Sequence, residues 1–322
     1  MRAVGVRHYG GPEALELVEL PTPEPGPGEV RVRVQAAAIN PADVMVRDGS
    51  LADWYAEVEP PFIPGMDVAG VIDALGPNLD PALGLDLGQR VVGIVDNHGQ
   101  HGGYSEFVVL PADSVTAAPA GASTAEAATF LMPALTARAA LDALNLPSEA
   151  TVLVTGAAGG VGRFAVALAH AQGLRVFALA SEADEAFVRS LGADEFVGSG
   201  EDPADRILAL LPGGVDAVID GAALRETITP AIRDGGQLAT LRAWNGEAGR
   251  GITHHQIHVR KRTRDRPAIT RLREQVEAGK LPLQIAAAYP ASEAVQAHHA
   301  FDAGHVRGRI VLLFDAFGEE HH

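Results

Sequence analysis

The chain has 322 residues, 47% hydrophobic and 20% charged, which is enough for two domains and a sizeable core. Its formal net charge of −16 argues against general affinity for nucleic acid or anionic membranes, and the absence of cysteine excludes disulfides and thiolate metal sites. It has no charged-then-apolar leader and no apolar run near the roughly 20 residues of a membrane span, so the cytoplasm is the expected compartment.

Residues 1–120 read as a β-rich domain. Short strands are expected at 1–6 and 15–20 around the turn Gly10-Gly11-Pro12, and PTPEPGPGE (21–29) reads as a rigid surface loop. VRVRV (30–34) alternates as a half-buried strand should, and further strands are expected at 65–76, 90–95 and 104–110. Short strands with Gly/Pro punctuation suggest a compact barrel. Near Ala120 the composition changes. The alanine-rich stretch 124–144 reads as helical, capped by Ser123 or Thr124, and Pro133 is expected to kink or divide it.

The stretch TVLVTGAAGGVGRFAVALAHAQGLRVFALAS (151–181) organises the rest. Val152-Leu153-Val154 suits a buried parallel strand, and a glycine-rich turn follows with Gly156, Gly159, Gly160 and Gly162. An apolar-periodic segment runs from Phe164 to Ala171, Gly173 stands where a helix C′ glycine belongs, and 175–179 reads as a second strand. Strand, glycine turn, helix and strand within about 30 residues form the unit that binds dinucleotides. The turn must be tight, its backbone must approach a pyrophosphate, and N–H groups at the helix start must face the phosphates. Gly156, Ala157, Gly159, Gly160, Val161 and Gly162 are therefore candidate cofactor contacts, although Ala157 stands where the first Gly of G-x-G-x-x-G belongs.

Strands at 152–155, 175–179, 195–198, 215–220 and 236–241, with helices between them, give the rhythm of a doubly wound parallel sheet. Beyond about residue 265 a helix at 267–278, a turn at 279–282, a strand near 284–289, a helix at 292–303 and a last strand at 308–314 are expected. An apolar last strand is stable only inside an existing sheet, so the chain end is expected to return to the first domain. Glu319-Glu320-His321-His322 reads as the remnant of an expression tag.

In this order the chain resembles the medium-chain dehydrogenase/reductase superfamily, and within it the zinc-independent quinone oxidoreductases that include zeta-crystallin. The resemblance is carried by MRAVGVRHYGGPEALEL (1–17), AAAINPADVMVRDG (36–49), PFIPGMDVAGVI (61–72), GQRVVGI (88–94) and GGYSEFVVLPAD (102–113). It continues through LTARAAL (135–141), VLVTGAAGGVG (152–162), LGAD (191–194), EAGKLPLQI (277–285) and HVRGRIVLLF (305–314). It implies an α/β protein with a GroES-like β-barrel catalytic domain (1–121 and 267–322) around a Rossmann domain (122–266), the active site lying in the cleft. It also implies a homodimer joined through outer Rossmann strands, here near 252–259. Zinc-dependent relatives carry Cys at or beside Asn40, His at Met66, a further interdomain Cys and a four-cysteine lobe. This chain has none of these, and Asp67 and Glu57 alone cannot hold a tetrahedral zinc, so no metal is expected.

Without a metal, hydride transfer relies on proximity and alignment. By resemblance Asn40 lies beside nicotinamide and substrate, its alternative being an Asx-turn residue before Pro41, while Asp43 holds the loop. Tyrosines of several quinone reductases align with Met45 and Leu51, so Trp54 or Tyr55 is left to form an aromatic wall or to pack as ordinary core. Thr136 matches a threonine near the nicotinamide or is a plain helix-interior residue. The end of the second Rossmann strand, Leu179-Ala180-Ser181, has no acid for a ribose diol, which favours NADPH and leaves NADH possible. The lysine and tyrosine of some NADPH-dependent relatives align with Asp184 and Ser199, which leaves Ser181 as a phosphate partner, Arg163 or Arg189 as charge, and Glu182 as a rival ribose ligand. Gly221 after the fourth strand, Leu241 after the fifth, and Arg309 are further cofactor candidates.

His254, His255 and His258 and the pair His98 and His101 read as surface or interface histidines rather than ligands, and His298-His299 as structural. The basic run 258–266 lacks aromatic interleaving, so no nucleic acid is expected. The expected function is hydride transfer from NADPH to a quinone or similar conjugated carbonyl. Its rivals are an enone or alkenal double-bond reductase and a cofactor-binding regulatory or structural protein with little turnover.

Overall fold

The computed structural model describes residues 1–304 and 306–314. The tag remnant read at 319–322, and His305 of the last family motif, lie outside the described residues. The described chain divides into two compact units. One takes Met1–Met132, Thr263–Gly279 and the described residues from Leu283 onward; the other takes Pro133–Arg262 with Lys280–Pro282.

In the first unit β1 (Arg2–Val6) and β2 (Leu15–Glu19) form an antiparallel hairpin. β3 (Glu29–Ala38) runs longer than its alternating core, because Ala36, Ala37 and Ala38 are small enough to be buried on both faces. Helix α1 (Pro41–Arg47) follows, then β4 (Asp67–Leu75), β5 (Arg90–Ile94), β6 (Phe107–Pro111) and the unexpected short β7 (Val115–Ala117). The alanine-rich stretch is divided into α2 (Thr124–Ala127) and α3 (Leu131–Leu144). The division precedes Pro133, which sits in the first turn of α3, where its missing N–H costs no helical bond. Ser123 is the cap of α2: its Oγ accepts from Glu126 N–H at 3.2 Å, and Glu126 accepts from Ser123 N–H at 2.8 Å.

The second unit alternates β8 (Thr151–Thr155), α4 (Gly162–Ala171), β9 (Arg175–Ala180), α5 (Glu185–Ser190), β10 (Glu195–Gly198), α6 (Pro203–Leu210), β11 (Val215–Asp220), β12 (Ile232–Thr240) and β13 (Thr253–Gln256). All six strands are parallel, in the order β10-β9-β8-β11-β12-β13. Val152, Leu153 and Val154 of β8 are fully buried, as a central strand covered on both faces requires. β12 starts four residues before its expected beginning, with a register shift against β11 absorbing the extra length. β13 ends at Gln256, so His258 lies beyond it. His254 Nε2 meets Thr240 Oγ1 at 2.8 Å, and His255 Nε2 meets Gln237 Oε1 at 2.9 Å.

The chain then returns to the first unit with α7 (Arg266–Glu277), β14 (Ile285–Pro290), α8 (Ala294–Asp302) and β15 (Arg309–Leu313). β15 inserts parallel to β14 and antiparallel to β3, giving the order β14-β15-β3-β4-β5-β7 with β6 branching from β3. Much of the basic run is neutralised within the units: Arg262 pairs with Asp142, Arg264 with Asp113, and Arg266 donates to the carbonyls of Leu83, Ala112 and Val115.

Candidate cofactor and substrate site

In the second unit the strand order reverses between β8 and β11, since the chain winds outward through β9 and β10 on one side and through β11, β12 and β13 on the other. Carboxyl ends of strands at such a reversal leave a crevice for a ligand. The glycine turn lies at that point. Gly156 has φ +61°, a conformation disfavoured for residues with a Cβ, and Ala157 N–H bonds Leu179 O at 3.0 Å, tying the turn to β9. A Cβ on Gly162 would stand 2.1 Å from Gly156 O, so α4 can begin this close to β8 only with glycine there. Ala157 is fully buried and its methyl is accommodated, while Gly159 is exposed and Gly160 and Val161 are half-buried. The exposed rim of the turn, backed by the start of α4, fits a pyrophosphate.

Around it stand the ends of the neighbouring strands. Ala180 is buried and Ser181 exposed past β9. Past β11, Asp220 accepts from Thr155 Oγ1 at 2.6 Å and from Leu224 and Arg225 N–H at 3.0 and 2.9 Å, folding the loop so that Gly221 is exposed. Leu241 is half-buried past β12, and Thr136 is buried on α3. The two arginines considered for the cofactor's charge are engaged elsewhere: Arg163 is buried with its Nε donating to Gly159 O, and Arg189 holds Glu185 and Asp194 O. Arg206 on α6 reaches the ends of β9 and β10 instead, donating to Gly198 O at 2.7 Å.

The first unit carries a buried polar chain centred on Asn40, the residue before α1. Asn40 Nδ2 donates to Ala38 O at 3.2 Å and Asp67 Oδ2 at 3.1 Å, and its Oδ1 accepts from Arg309 Nη2 at 2.8 Å. Both amide hydrogens are thus engaged, and Asn40 also stands at the N-cap of α1 in a capping box with Asp43. Arg309 also donates to Ile39 O at 2.9 Å and lies 3.4 Å from Asp67 Oδ2, so this cofactor candidate belongs to the Asn40 cluster in the first unit. Asp43 accepts from Asn40 N–H and Gly65 N–H, each at 2.8 Å. Burial pushes its carboxyl up to about 7, against the pull of those two N–H groups; burial likewise pushes Asp67 up to about 6, opposed by Arg309.

The chain continues through Tyr104, whose hydroxyl lies 3.5 Å from Asp43 Oδ2 and 3.2 Å from His298 Nε2. Arg47 Nη1 lies 3.1 Å from His298 Nδ1, and Arg47 Nη2 donates to Asp302 at 2.8 Å. A guanidinium only donates, so Nδ1 accepts and the imidazole proton sits on Nε2, directed at Tyr104. Burial and Arg47 push His298 down to about 3, keeping it neutral. Tyr55 buries its ring at 5.1 Å from Phe62, in a cluster with Val46.

Comparison with known proteins places these features. An alcohol dehydrogenase GroES-like domain matches residues 26–120, and a zinc-binding dehydrogenase domain matches 191–312. A solved structure titled as an NAD-dependent alcohol dehydrogenase superposes at TM-score 0.84 with 32% identity over 98% of this chain and all of that one. The quinone oxidoreductase of Coxiella burnetii superposes at 0.85 with 28% identity, covering 98% and 99%. A chloroplast envelope quinone oxidoreductase homolog of Arabidopsis thaliana is 35% identical over 205 residues, 61% of this chain and 60% of that protein. The chain belongs to the quinone oxidoreductase family of the medium-chain dehydrogenases/reductases. Its match spans about 60% of the length of that curated relative. A 2-methylene-furan-3-one reductase of Solanum lycopersicum is 30% identical over 249 residues, 75% of this chain and 62% of that protein. A mycobacterial neighbour solved in complex with NADPH superposes at 0.84 with 29% identity, covering 98% and 100%.

Within this family fold, sequence reasoning missed Arg206, Tyr104 and the Asn40–Arg309 contact. Arg309 is 269 positions from Asn40, and Arg206 reaches β9 only through the pairing of β10 with it, so neither left a local signal.

Proposed function

We propose that this chain is an oxidoreductase that moves hydride from NADPH to a quinone or a similar conjugated carbonyl. The observation carrying this reading is the glycine turn at the strand-order reversal, in a family whose relatives are named as quinone oxidoreductases. A reduced nicotinamide, when bound, supplies the hydride. Gly160, Val161 and Gly162 offer backbone N–H groups to the pyrophosphate, Gly156, Ala157 and Gly159 shape the turn beneath it with the Ala157 and Gly159 N–H groups bonded to Leu179 O and Gly156 O, and Ala180, Ser181, Gly221 and Leu241 line the dinucleotide along the strand ends. The absence of an acid at Ala180-Ser181 supports NADPH over NADH. Thr136 positions the nicotinamide, and Tyr55 supplies apolar surface for the acceptor.

Asn40 has no hydrogen left to donate, so its role is to fix Arg309 and Asp67 in place beside the site. A quinone accepts hydride readily and takes its proton from water, which suits a site whose amide donors are engaged. The tomato relative favours a second reading, reduction of an enone double bond, in which a proton must reach the carbon α to the carbonyl. The proposed oligomer is a homodimer through β13, the edge strand of the parallel sheet. NADPH oxidation with 1,4-benzoquinone and with a simple enone tests the reading: rapid turnover of the quinone is expected, and turnover of the enone alone replaces it with the second. No oxidation with any member of a quinone panel overturns the quinone assignment.

A further inference from the structure

The end of β9 carries an arrangement that bears on cofactor choice. Gly198 of β10 lies opposite Ala180 in the parallel register, and Ser199 N–H bonds Ala180 O at 2.7 Å, so the carboxyl ends of the two strands are joined side by side. Ser181 and Glu182 follow β9, and Ser199 and Gly200 follow β10. Arg206, one turn into α6, comes back over this edge and anchors Nη1 on Gly198 O at 2.7 Å. Its Nη2 faces Glu182 Oε1 at 3.9 Å, too long for a direct hydrogen bond.

The glycines leave space for this. A Cβ on Gly198 would stand 2.0 Å from Glu182 Oε1 and 3.2 Å from Arg206 Nη2, and one on Gly200 would stand 3.1 Å from Arg206 Nη1. Either side chain would push into the guanidinium or its carboxylate neighbour. Arg206 and Glu182 remain 42% and 73% exposed, so the pair is weak and screened by salt. A half-exposed guanidinium, fixed by one carbonyl and loosely faced by one carboxylate, presents its open edge to a planar or tetrahedral oxyanion.

We propose that Arg206 and Glu182 together read the 2′ position of the adenosine ribose, the guanidinium taking a 2′-phosphate and the carboxylate competing for that guanidinium. This rests on the cofactor reading given above. Two opposed effects follow at one position. Arg206 favours the phosphorylated ribose, whereas Glu182 repels the phosphate and can accept from an unphosphorylated ribose diol. The chain therefore discriminates between the two dinucleotides only partially, and removal of either side chain moves the preference in a known direction.

The test uses fragments without nicotinamide, so that it does not depend on turnover. The full chain, Arg206→Met and Glu182→Gln are titrated calorimetrically with 2′,5′-ADP and with 5′-ADP, and by fluorescence with NADPH and NADH. Arg206→Met is expected to weaken 2′,5′-ADP and NADPH about tenfold, the loss of one charge-assisted contact at a half-exposed site, and to leave 5′-ADP and NADH unchanged. Glu182→Gln is expected to tighten 2′,5′-ADP, with the gain shrinking as salt is raised. Equal losses on both probes, or no loss on either, overturn the assignment while leaving the cofactor reading intact. A wild-type chain that binds neither fragment nor either dinucleotide overturns the cofactor reading itself.

Discussion

Asp43 and Asp67 are fully buried carboxyls on either side of Asn40, and their titration runs opposite to that of a salt-bridged surface acid. The folded value of Asp43, about 7, lies above its ordinary one, so between about pH 4 and 7 the folded state holds a proton that the unfolded chain releases. Stability from this group falls as pH rises through that window and levels off above it; Asp67 behaves alike up to about 6. His298 acts in the other direction, because a histidine held near 3 costs stability as pH falls below its ordinary value. The stability difference between the wild type and Asp43→Asn, followed by denaturant melts from pH 4 to 8, is therefore expected to shrink with rising pH, and a flat or growing difference removes the proton from Asp43. Asn40→Ala deprives Arg309 and Asp67 of a partner each. It should lower stability by about 1–3 kcal/mol and slow turnover while leaving dinucleotide affinity in place. Weakened dinucleotide binding without slowed turnover would move Asn40 out of the substrate site.

At the scale of elements, the turn between β8 and α4 divides its glycines by task. Gly162 is required for the fold, since a Cβ there would stand 2.1 Å from Gly156 O, whereas on exposed Gly159 it would stand 3.0 Å from the same oxygen, a tight fit that a small shift relieves. Gly159→Val is expected to weaken NADPH by tenfold or more with only a modest fall in melting temperature, and unchanged affinity would place the pyrophosphate elsewhere. Helix α8 is tied to the rest of its unit through His298 and Tyr104. Tyr104→Phe leaves the His298 Nε2–H without an acceptor and should cost about 1–3 kcal/mol in denaturant unfolding, against almost nothing if the hydroxyl is idle. Elements with a local signature were legible in the sequence: the glycine turn, the alternating β3 and a helix cap at Ser123 or Thr124 all come from spacings under five residues. The register of β12 and the early division before α3 were not, because a strand shift and a first-turn proline are decided by packing rather than by local pattern.

At the scale of the whole molecule, the parallel sheet ends on β13, whose half-buried histidines are hydrogen-bonded inward and whose outer edge pairs with nothing among the described residues. The proposed homodimer joins this edge to its copy, so sedimentation at micromolar concentration should give twice the chain mass, and a monomer would leave the edge to be protected in another way. The family was legible from motif order across the chain, but the Asn40 cluster was not, since it joins residues 40, 43, 67, 104, 298 and 309 from five separate segments. That joining also dictates an order of events at the ribosome. The parallel-sheet unit is almost continuous in sequence and can form once residue 262 has emerged. The other unit begins first and finishes last: the Ala36–Ala38 end of β3 lacks its antiparallel neighbour, and Asp67 its guanidinium, until β15 is synthesised. For most of translation the first-made segment waits with a buried-to-be acid unpaired and one end of a sheet edge open.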